Sequence, residues 1–314
     1  MTEERRRAHE PFGDRLARSV AVRASQLVVG LDPDPAALWP RAYEVTSATE
    51  ADQPAIRAAF AVAVHCALVL DAVAEQAVAV KLQLACFERL GPPGWAALAE
   101  SVQRARDRGL VVIADGKRGD IDMTATAYGQ AYFGTTPTPF GEVRGIAADA
   151  LTVNPLLGVD ALAPLVQAAR RAGGAVFALV RTSNAGAADV QDLALVDGRT
   201  VSERLAELVR DLGRPGIGES GLSDVGAVVG ATAPERLQKL RELMPEAVFL
   251  VPGVGAQGGR VEALAPALGK GPASLLISAS RAIVGAGVQA GADPAEAARK
   301  EAARLRELAW GLRQ

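Results

Sequence analysis

Acidic and basic residues alternate in the segment that directly follows the apolar run at residues 110–114. Asp115, Lys117 and Asp120 lie within six residues of one another. The apolar run predicts a buried strand, and the two-residue period of a strand places Asp115 and Lys117 on the same side. Buried charges are costly to desolvate unless they pair or react. The structural alternative is an ion pair at the strand exit with Asp120 as the N-cap of a helix, and the segment alone leaves both open.

Composition narrows the classes of function. The chain has 314 residues, of which 49% are apolar and 22% charged, and its net charge is −2. This balance argues against a nucleic-acid or membrane-surface partner. The two histidines, His9 and His65, lie far apart in polar and apolar surroundings, which disfavours a Ser-His-Asp triad or a histidine-rich metal site. Residues 1–7 are charged and no apolar core segment follows them, so we expect neither signal peptide nor membrane anchor, and a cytoplasmic location.

Short β-rich runs recur along the chain with helical stretches between them. Near-continuous apolar runs suit strands buried on both faces, as in a parallel sheet. Eight such βα units predict an α/β fold, a (β/α)₈ TIM barrel, as a single domain over residues 1–314. We expect a polar N-terminal arm over about residues 1–20 and a C-terminal helix at residues 294–312. The predicted strands are residues 27–31, 77–80, 110–114, 150–153, 175–180, 225–229, 248–251 and 275–278.

Polar residues follow nearly every predicted strand. Among them are Asp32, Lys81, Asp115 and Asn154 after the first four, and Ser280 with Arg281 after the last. One or two such endings would be ordinary turn chemistry. Barrel enzymes keep their active sites at the C-terminal ends of the strands, so the repeated pattern favours one site at that end.

A glycine-rich stretch follows the seventh predicted strand and contains a G-x-G-x-x-G pattern formed by Gly253, Gly255 and Gly258. A dinucleotide site would need a βαβαβ unit after it, and only one strand and one helix clearly follow. Barrels often bind phosphate with the loops after strands 7 and 8. Those loops here are the glycine-rich stretch and Ser280–Arg281, so a phosphate site is favoured over a mere turn with a surface arginine.

Taken together, these motifs resemble the orotidine 5′-phosphate decarboxylase family, in its longer bacterial subfamily. They occur in order from about residue 12 to residue 283, and an ordered set is far more specific than any one member. The matching segments are residues 12–15, 29–33, 81–83, 115–121, 153–155, 181–184, 228–232, 252–259 and 280–283.

The resemblance implies decarboxylation of orotidine 5′-phosphate to uridine 5′-phosphate, the final step of de novo UMP synthesis, with no cofactor and no metal. By the family's pattern, the catalytic charge array is Lys81, Asp115, Lys117 and Asp120. The resemblance further implies a homodimer with a shared active site, in which Asp120 and Thr124 reach the partner subunit's site.

The substrate-binding roles also come from the resemblance. Asp32 and Lys81 would hold ribose hydroxyls, Ser183 would read the pyrimidine edge, and Gln257 and Arg281 would hold the phosphate. The other expected substrate-binding residues are Ile121, Asn154, Gly255, Gly258 and Ser280.

Two alternatives remain open from the sequence. One is a Mg²⁺-dependent sugar-phosphate lyase of the same barrel superfamily, which would share the Asp-x-Lys-x-x-Asp core. Such a site would want further carboxylates at strand ends, where this chain has Lys81 and Asn154. The other is a phosphate-binding barrel that has lost catalysis, and the intact array of Lys81, Asp115, Lys117 and Asp120 argues against it.

Overall fold

Eight parallel strands close into a barrel, which confirms the predicted fold class. A computed structural model of the chain describes residues 10–47, 53–255, 258–287 and 292–313. The strands follow chain order around the barrel, with the last pairing with the first. The barrel strands are β1 (Leu27–Leu31), β2 (Ala79–Gln83), β3 (Val111–Arg118), β6 (Ala150–Val153), β7 (Ala175–Arg181), β8 (Val225–Val229), β9 (Phe249–Val251) and β10 (Leu275–Ala279). The strands β4 (Thr135–Thr138) and β5 (Gly141–Arg144) form a separate antiparallel hairpin.

Helices connect the strands and pack on the outer face of the barrel. Pro occupies the first turn of several of them, where its missing N–H costs nothing. Outward residues of the strands share one apolar core with the helices, as Val29 does with Val62 and Leu70. The helices of eight or more residues are Phe12–Arg23, Pro40–Ser47, Pro54–Val73, Pro92–Asp107, Asp122–Tyr132, Val159–Arg171, Val201–Gly213, Pro234–Leu243 and Pro294–Gly311.

The barrel interior changes from apolar to polar along the strands. Its lower layers are apolar side chains that include Ala79 and Ile113. Because side chains alternate along a strand, the next inward positions on those two strands are Lys81 and Asp115. The same step on β6 leads from Ala150 to Thr152. The strands therefore deliver polar groups to the C-terminal mouth of the barrel.

The N-terminal segment differs from the predicted polar arm. Residues 1–9 lie outside the described part of the chain, but Phe12–Arg23 is a helix. Phe12, Leu16 and Val20 recur at helical spacing and are buried against the barrel interior, with the ring of Phe12 edge-on to that of Phe177 at 6.3 Å. The prediction of an arm over residues 12–20 was wrong because the charged residues between these positions obscured the apolar stripe.

A buried ion pair ties this helix to the barrel. Arg15 donates to Asp149 Oδ1 at 2.8 Å and to the carbonyl of Gly173, while Asp149 Oδ2 accepts from the N–H of Val112 at 2.9 Å. Both partners are less than a tenth exposed, so removal of either takes a charge partner from the other inside the fold.

We expect Arg15→Ala to lower the free energy of unfolding by about 1.5–3 kcal/mol, because the buried, charged hydrogen bond to Asp149 is lost. Urea denaturation followed by circular dichroism measures the change. The matched control is Arg18→Ala on the same helix. Its side chain is 60% exposed and pairs with Glu10 at the surface, where such pairs contribute about 0–1 kcal/mol. Equal effects of the two substitutions would contradict the assignment.

Candidate active site

A cavity of about 540 Å³ opens at the C-terminal mouth of the barrel. Charged and polar side chains from several strands and loops line it, as the strand-end pattern predicts. The structure brings seven of the predicted site residues together in its wall, namely Asp32, Lys81, Asp115, Lys117, Ser183, Ser280 and Arg281. Apolar side chains, among them Leu179, Val228 and Leu250, also line it.

Asp115 is the centre of the charge array. Its Oδ2 accepts from Lys81 Nζ at 2.6 Å, and its Oδ1 accepts from Lys117 Nζ at 2.7 Å. Lys81 Nζ also lies 3.8 Å from Asp32 Oδ1. Lys81 and Asp115 are buried, whereas the Lys117 side chain is 46% exposed. The ammonium of Lys117 is therefore the cation of the array that is most accessible from the cavity.

The array holds its charges at neutral pH. Burial alone would raise the pKa of Asp115, but the ammonium groups of Lys81 and Lys117 outweigh it and lower that pKa to about 2. Burial likewise lowers the pKa of Lys81, but Asp115 and Asp32 outweigh it, so that the net change in this pKa is upward. A carboxylate between two cations is a fixed, preorganised electrostatic arrangement.

A β-bulge presents Lys117 to the cavity. The register between β3 and β6 pairs Ala114 with Leu151 and next pairs Arg118 with Val153. Between these two pairs β3 advances by four residues and β6 by two, so the extra residues bulge out of β3. Lys117 adopts a φ of 49°, in the left-handed region. The predicted strand alternation is thus broken at this residue, although the predicted contact between Asp115 and Lys117 is present.

The residues after the bulge lie outside this cavity. Asp120 is half-buried, and Ile121 and Thr124 are exposed at the start of the next helix. The structural alternative, with Asp120 as N-cap, does not hold: the helix begins at Asp122, and Ile121 occupies the cap position. Asp120 Oδ1 accepts from the N–H of Ile121 at 2.8 Å. Because the Asp120 carboxylate accepts from the adjacent residue, it does not cap the N–H groups of the first turn of the helix.

The remaining predicted binding residues are also outside the cavity wall. Asn154 caps a short 3₁₀ turn, where its Oδ1 accepts from the N–H of Leu156 at 3.1 Å. Gly255 and Gly258 have φ angles of 76° and 88°, which glycine adopts readily, and their N–H groups donate within their own loop. Gln257 lies outside the described residues.

Other polar residues line the cavity without having been predicted. Gln83 Nε2 donates to Asp115 Oδ2 at 3.2 Å, and Thr152 Oγ1 donates to Asp115 Oδ1 at 2.8 Å. Gln191 Oε1 accepts from the N–H of Thr182 at 2.8 Å. Gln83 could have been found from strand alternation, since it lies two residues after Lys81. Thr152 and Gln191 carry no local signal in the sequence.

The loop between β7 and the next helix is anchored close to the cavity. Arg181 forms a two-pronged ion pair with Asp192 through Nε at 3.1 Å and Nη2 at 3.0 Å. Arg236 also approaches Asp192, at 3.3 Å. These contacts hold together Arg181 and Asp192, the residues on either side of the segment that carries Ser183.

Carboxylates of the array face ammonium groups. Among the residues that the structure describes, no group of three or more His, Cys, Asp or Glu side chains converges as a ligand set for a metal ion. The position between Asp32 and Asp115 is taken by Lys81 Nζ. The arrangement can hold an anionic substrate near two lysines and deliver a proton from Lys117.

Comparison with known proteins agrees with the resemblance inferred from the motifs. Residues 25–300 match the family model described as the orotidine 5′-phosphate decarboxylase / HUMPS family. The orotidine 5′-phosphate decarboxylase of Rhodopirellula baltica is 42% identical over 213 residues, which are 67% of this chain and 67% of that protein. The enzyme of the same name from Deinococcus radiodurans is 43% identical over 209 residues, 66% of this chain and 65% of that protein.

Similarity to a solved structure extends over more of the chain. The OMP decarboxylase of Leishmania donovani is 33% identical and superposes with a TM-score of 0.72. That alignment covers 96% of this chain and 99% of the other. The curated relatives above are each aligned over about two thirds of their own length. Because the family match spans the charge array and both ends of the cavity, the chain belongs to the orotidine 5′-phosphate decarboxylase / HUMPS family.

Proposed function

We propose that this protein decarboxylates orotidine 5′-phosphate to uridine 5′-phosphate and CO₂, the final step of de novo UMP synthesis, without a cofactor. The observation that carries the proposal is the Lys81–Asp115–Lys117 array in the cavity wall, with Asp115 bonded to both ammonium groups at 2.6 and 2.7 Å. Relatives named for this activity support it.

The chemistry follows from where charge develops. Breaking the bond between C6 of the pyrimidine and the carboxylate leaves an electron pair on C6 with no adjacent electron sink, so fixed positive charge and a proton must be supplied. Lys117 supplies both, since its Nζ faces the cavity and gives its proton to C6 as CO₂ departs. Asp115 opposes the substrate carboxylate in the ground state and favours the lysine once that carboxylate has left.

The other end of the cavity suits the phosphate. Ser280 and Arg281 line its wall, and a guanidinium presents several donors in a fork that matches phosphate oxygens. Binding energy from this remote group orders the reacting end and is expressed in the transition state. We assign Arg281, with Gln257 and the glycines at 255 and 258, to the phosphate, and Asp32, Lys81 and Ser183 to the nucleoside.

Turnover in the presence of EDTA tests this proposal. We expect purified protein to convert orotidine 5′-phosphate at an unchanged rate after dialysis against EDTA, because the array supplies charge through lysines. Loss of absorbance of the orotate ring measures the reaction. Activity that disappears in EDTA and returns with Mg²⁺ would contradict the cofactor-free mechanism, and a lack of turnover under both conditions would contradict the substrate.

We further propose a homodimer in which Asp120, Ile121 and Thr124 complete the partner subunit's site. None of the three lines the cavity of its own subunit, and Ile121 and Thr124 are exposed, which supports this assignment. Large apolar side chains are exposed beside them, with Met123 at 82% and Leu156 at 62%. Exposed apolar patches of this kind mark interaction surfaces.

Hybrid dimers test the shared site. Lys117→Ala and Asp120→Ala proteins are each expected to be inactive alone, since every site in them lacks one group. After subunit exchange, one of the two sites in a hybrid dimer has both groups intact, so about half of the dimers should each recover one site. Differently tagged subunits verify the exchange. Confirmed exchange with no recovery would contradict the cross-subunit role of Asp120.

A cytoplasmic location is part of the proposal. The helix Pro54–Val73 is long and apolar enough to span a membrane by composition, but 61% of its most apolar window is buried in the fold. It packs between the helices Pro92–Asp107 and Pro294–Gly311, as expected for a core helix of the barrel's outer layer. Packing within the fold therefore explains why this helix is apolar.

A further inference from the structure

Thr152 is a buried threonine in the middle of strand β6 whose hydroxyl joins two members of the charge array. It is 1% exposed, and its Oγ1 donates to Asp115 Oδ1 at 2.8 Å. The same oxygen accepts from the backbone N–H of Lys117 at 2.9 Å. A hydroxyl has one proton to donate and lone pairs to accept with, so these two bonds set its orientation. The hydroxyl dipole thus points from Lys117 towards Asp115.

The position of Thr152 opposite the β-bulge explains why a hydroxyl is needed there. On β3, residues 115–117 have no paired residue on β6 in the ladder, because the register moves directly from Ala114 to Arg118. The N–H of Lys117 is consequently removed from the ladder, and a buried N–H without an acceptor is costly. Thr152 Oγ1 provides the acceptor. It also supports the φ of 49° at Lys117, a left-handed backbone conformation that residues other than glycine rarely adopt.

Lys81 offers a useful contrast. It lies in the regular part of β2, paired with Gly30 on one side and Ile113 on the other. The backbone of Lys81 is therefore held by its pairing with both neighbouring strands. A defect confined to the bulge should displace the Lys117 ammonium and leave the Lys81 end of the array in place.

We propose that Thr152 is a positioning residue that sets the distance between the Asp115 carboxylate and the Lys117 ammonium, and through it the chemical step. This inference rests on the proposed decarboxylase function. It assigns no contact between Thr152 and the reacting atoms. Thr152 instead acts by holding Lys117 in the conformation that delivers its proton.

Thr152→Val tests the inference, because valine keeps the shape and strand preference of threonine but lacks the hydroxyl. We expect kcat to fall by about 10- to 100-fold, the cost of moving a reacting group by about 1 Å. The KM and the Kd for UMP should stay within about threefold, since ground-state contacts are not altered. Thr152→Ser, which restores the hydroxyl, should recover most of kcat. Thr46→Val is the matched control, because Thr46 is a buried threonine whose hydroxyl donates to the carbonyl of Ala42 in its own helix.

The outcomes separate this inference from the proposed function. Wild-type protein that fails to turn over orotidine 5′-phosphate contradicts the function. Active wild type with an unimpaired Val variant, with Ser and Val variants equally impaired, or with a loss confined to KM contradicts the role of Thr152. A crystal structure of the Val variant gives a readout independent of activity: Lys117 should leave the positive φ region or its Nζ should move away from Asp115. An unchanged Lys117 would overturn the inference.

Discussion

Lys117→Ala is expected to lower kcat for orotidine 5′-phosphate by more than about 10⁴-fold, the largest effect of any single substitution in this protein. The variant removes the proposed proton donor, and general-acid catalysis alone contributes about 10²- to 10⁴-fold. It also removes the cation nearest the developing charge, for which a further factor of about 10² to 10³ is typical. Single-turnover kinetics with excess enzyme measures the remaining rate.

Binding by the Lys117→Ala protein should survive, because the residues that we propose for the phosphate and the nucleoside are other than Lys117. Isothermal titration with UMP is the appropriate measurement. Lys270→Ala is the matched control: this lysine is also about half exposed and pairs with Glu246, in the loop that precedes β10 and so away from the C-terminal mouth. A near-normal kcat in the Lys117 variant would refute its role as proton donor.

Asp115→Asn is expected to give the second largest loss, about 10²- to 10³-fold in kcat. The change preserves shape but removes the negative charge that both Lys81 Nζ and Lys117 Nζ contact. The two ammonium groups would then repel each other across a neutral amide, and the Lys117 ammonium would leave its place. Steady-state kinetics measures the loss. Asp107→Asn, at an exposed carboxylate of the helix Pro92–Asp107, is the control.

The pH dependence of the wild-type protein tests the charge state of Asp115. Its pKa is lowered to about 2 from the model-compound value of 3.8, so the carboxylate is charged in the folded state throughout the range above about pH 4. Its pairing therefore stabilises the fold above the unfolded-state pKa, and this contribution is lost as pH falls from 3.8 towards 2. An acid limb of kcat that disappears in Asp115→Asn would contradict this, because it would show Asp115 titrating at higher pH.

The sequence by itself determined the barrel and most of the reacting end of the site. Eight apolar runs of strand length lay between helical stretches, and local periodicity is a short-range property that the chain shows without tertiary context. Lys81, Asp115 and Lys117 were identified because they follow two of these runs, and parallel strands in a barrel end at the same mouth. The proposal that the loops after the last two barrel strands bind phosphate follows from the same rule.

Only the tertiary structure decided how these residues are held. Strand β3 was expected to end at Ala114, yet it continues to Arg118 because β6 pairs with it across a bulge. Thr152 lies within an apolar run and reads as an ordinary core residue. Its link to Asp115 depends on the register between two strands, which no local pattern encodes.

The burial of the helix Phe12–Arg23, at the other end of the barrel, was likewise decided by tertiary contacts. Phe12, Leu16 and Val20 are interspersed with charged residues. Their burial depends on the apolar side chains inside the barrel, which come together only when the barrel closes. Arg15 is buried where it pairs with Asp149, which lies 134 residues away along the chain, and donates to the carbonyl of Gly173. Periodicity along the chain specified the elements, whereas contacts between distant residues fixed the register, the bulge and the buried ion pairs, because those depend on which surfaces meet after closure.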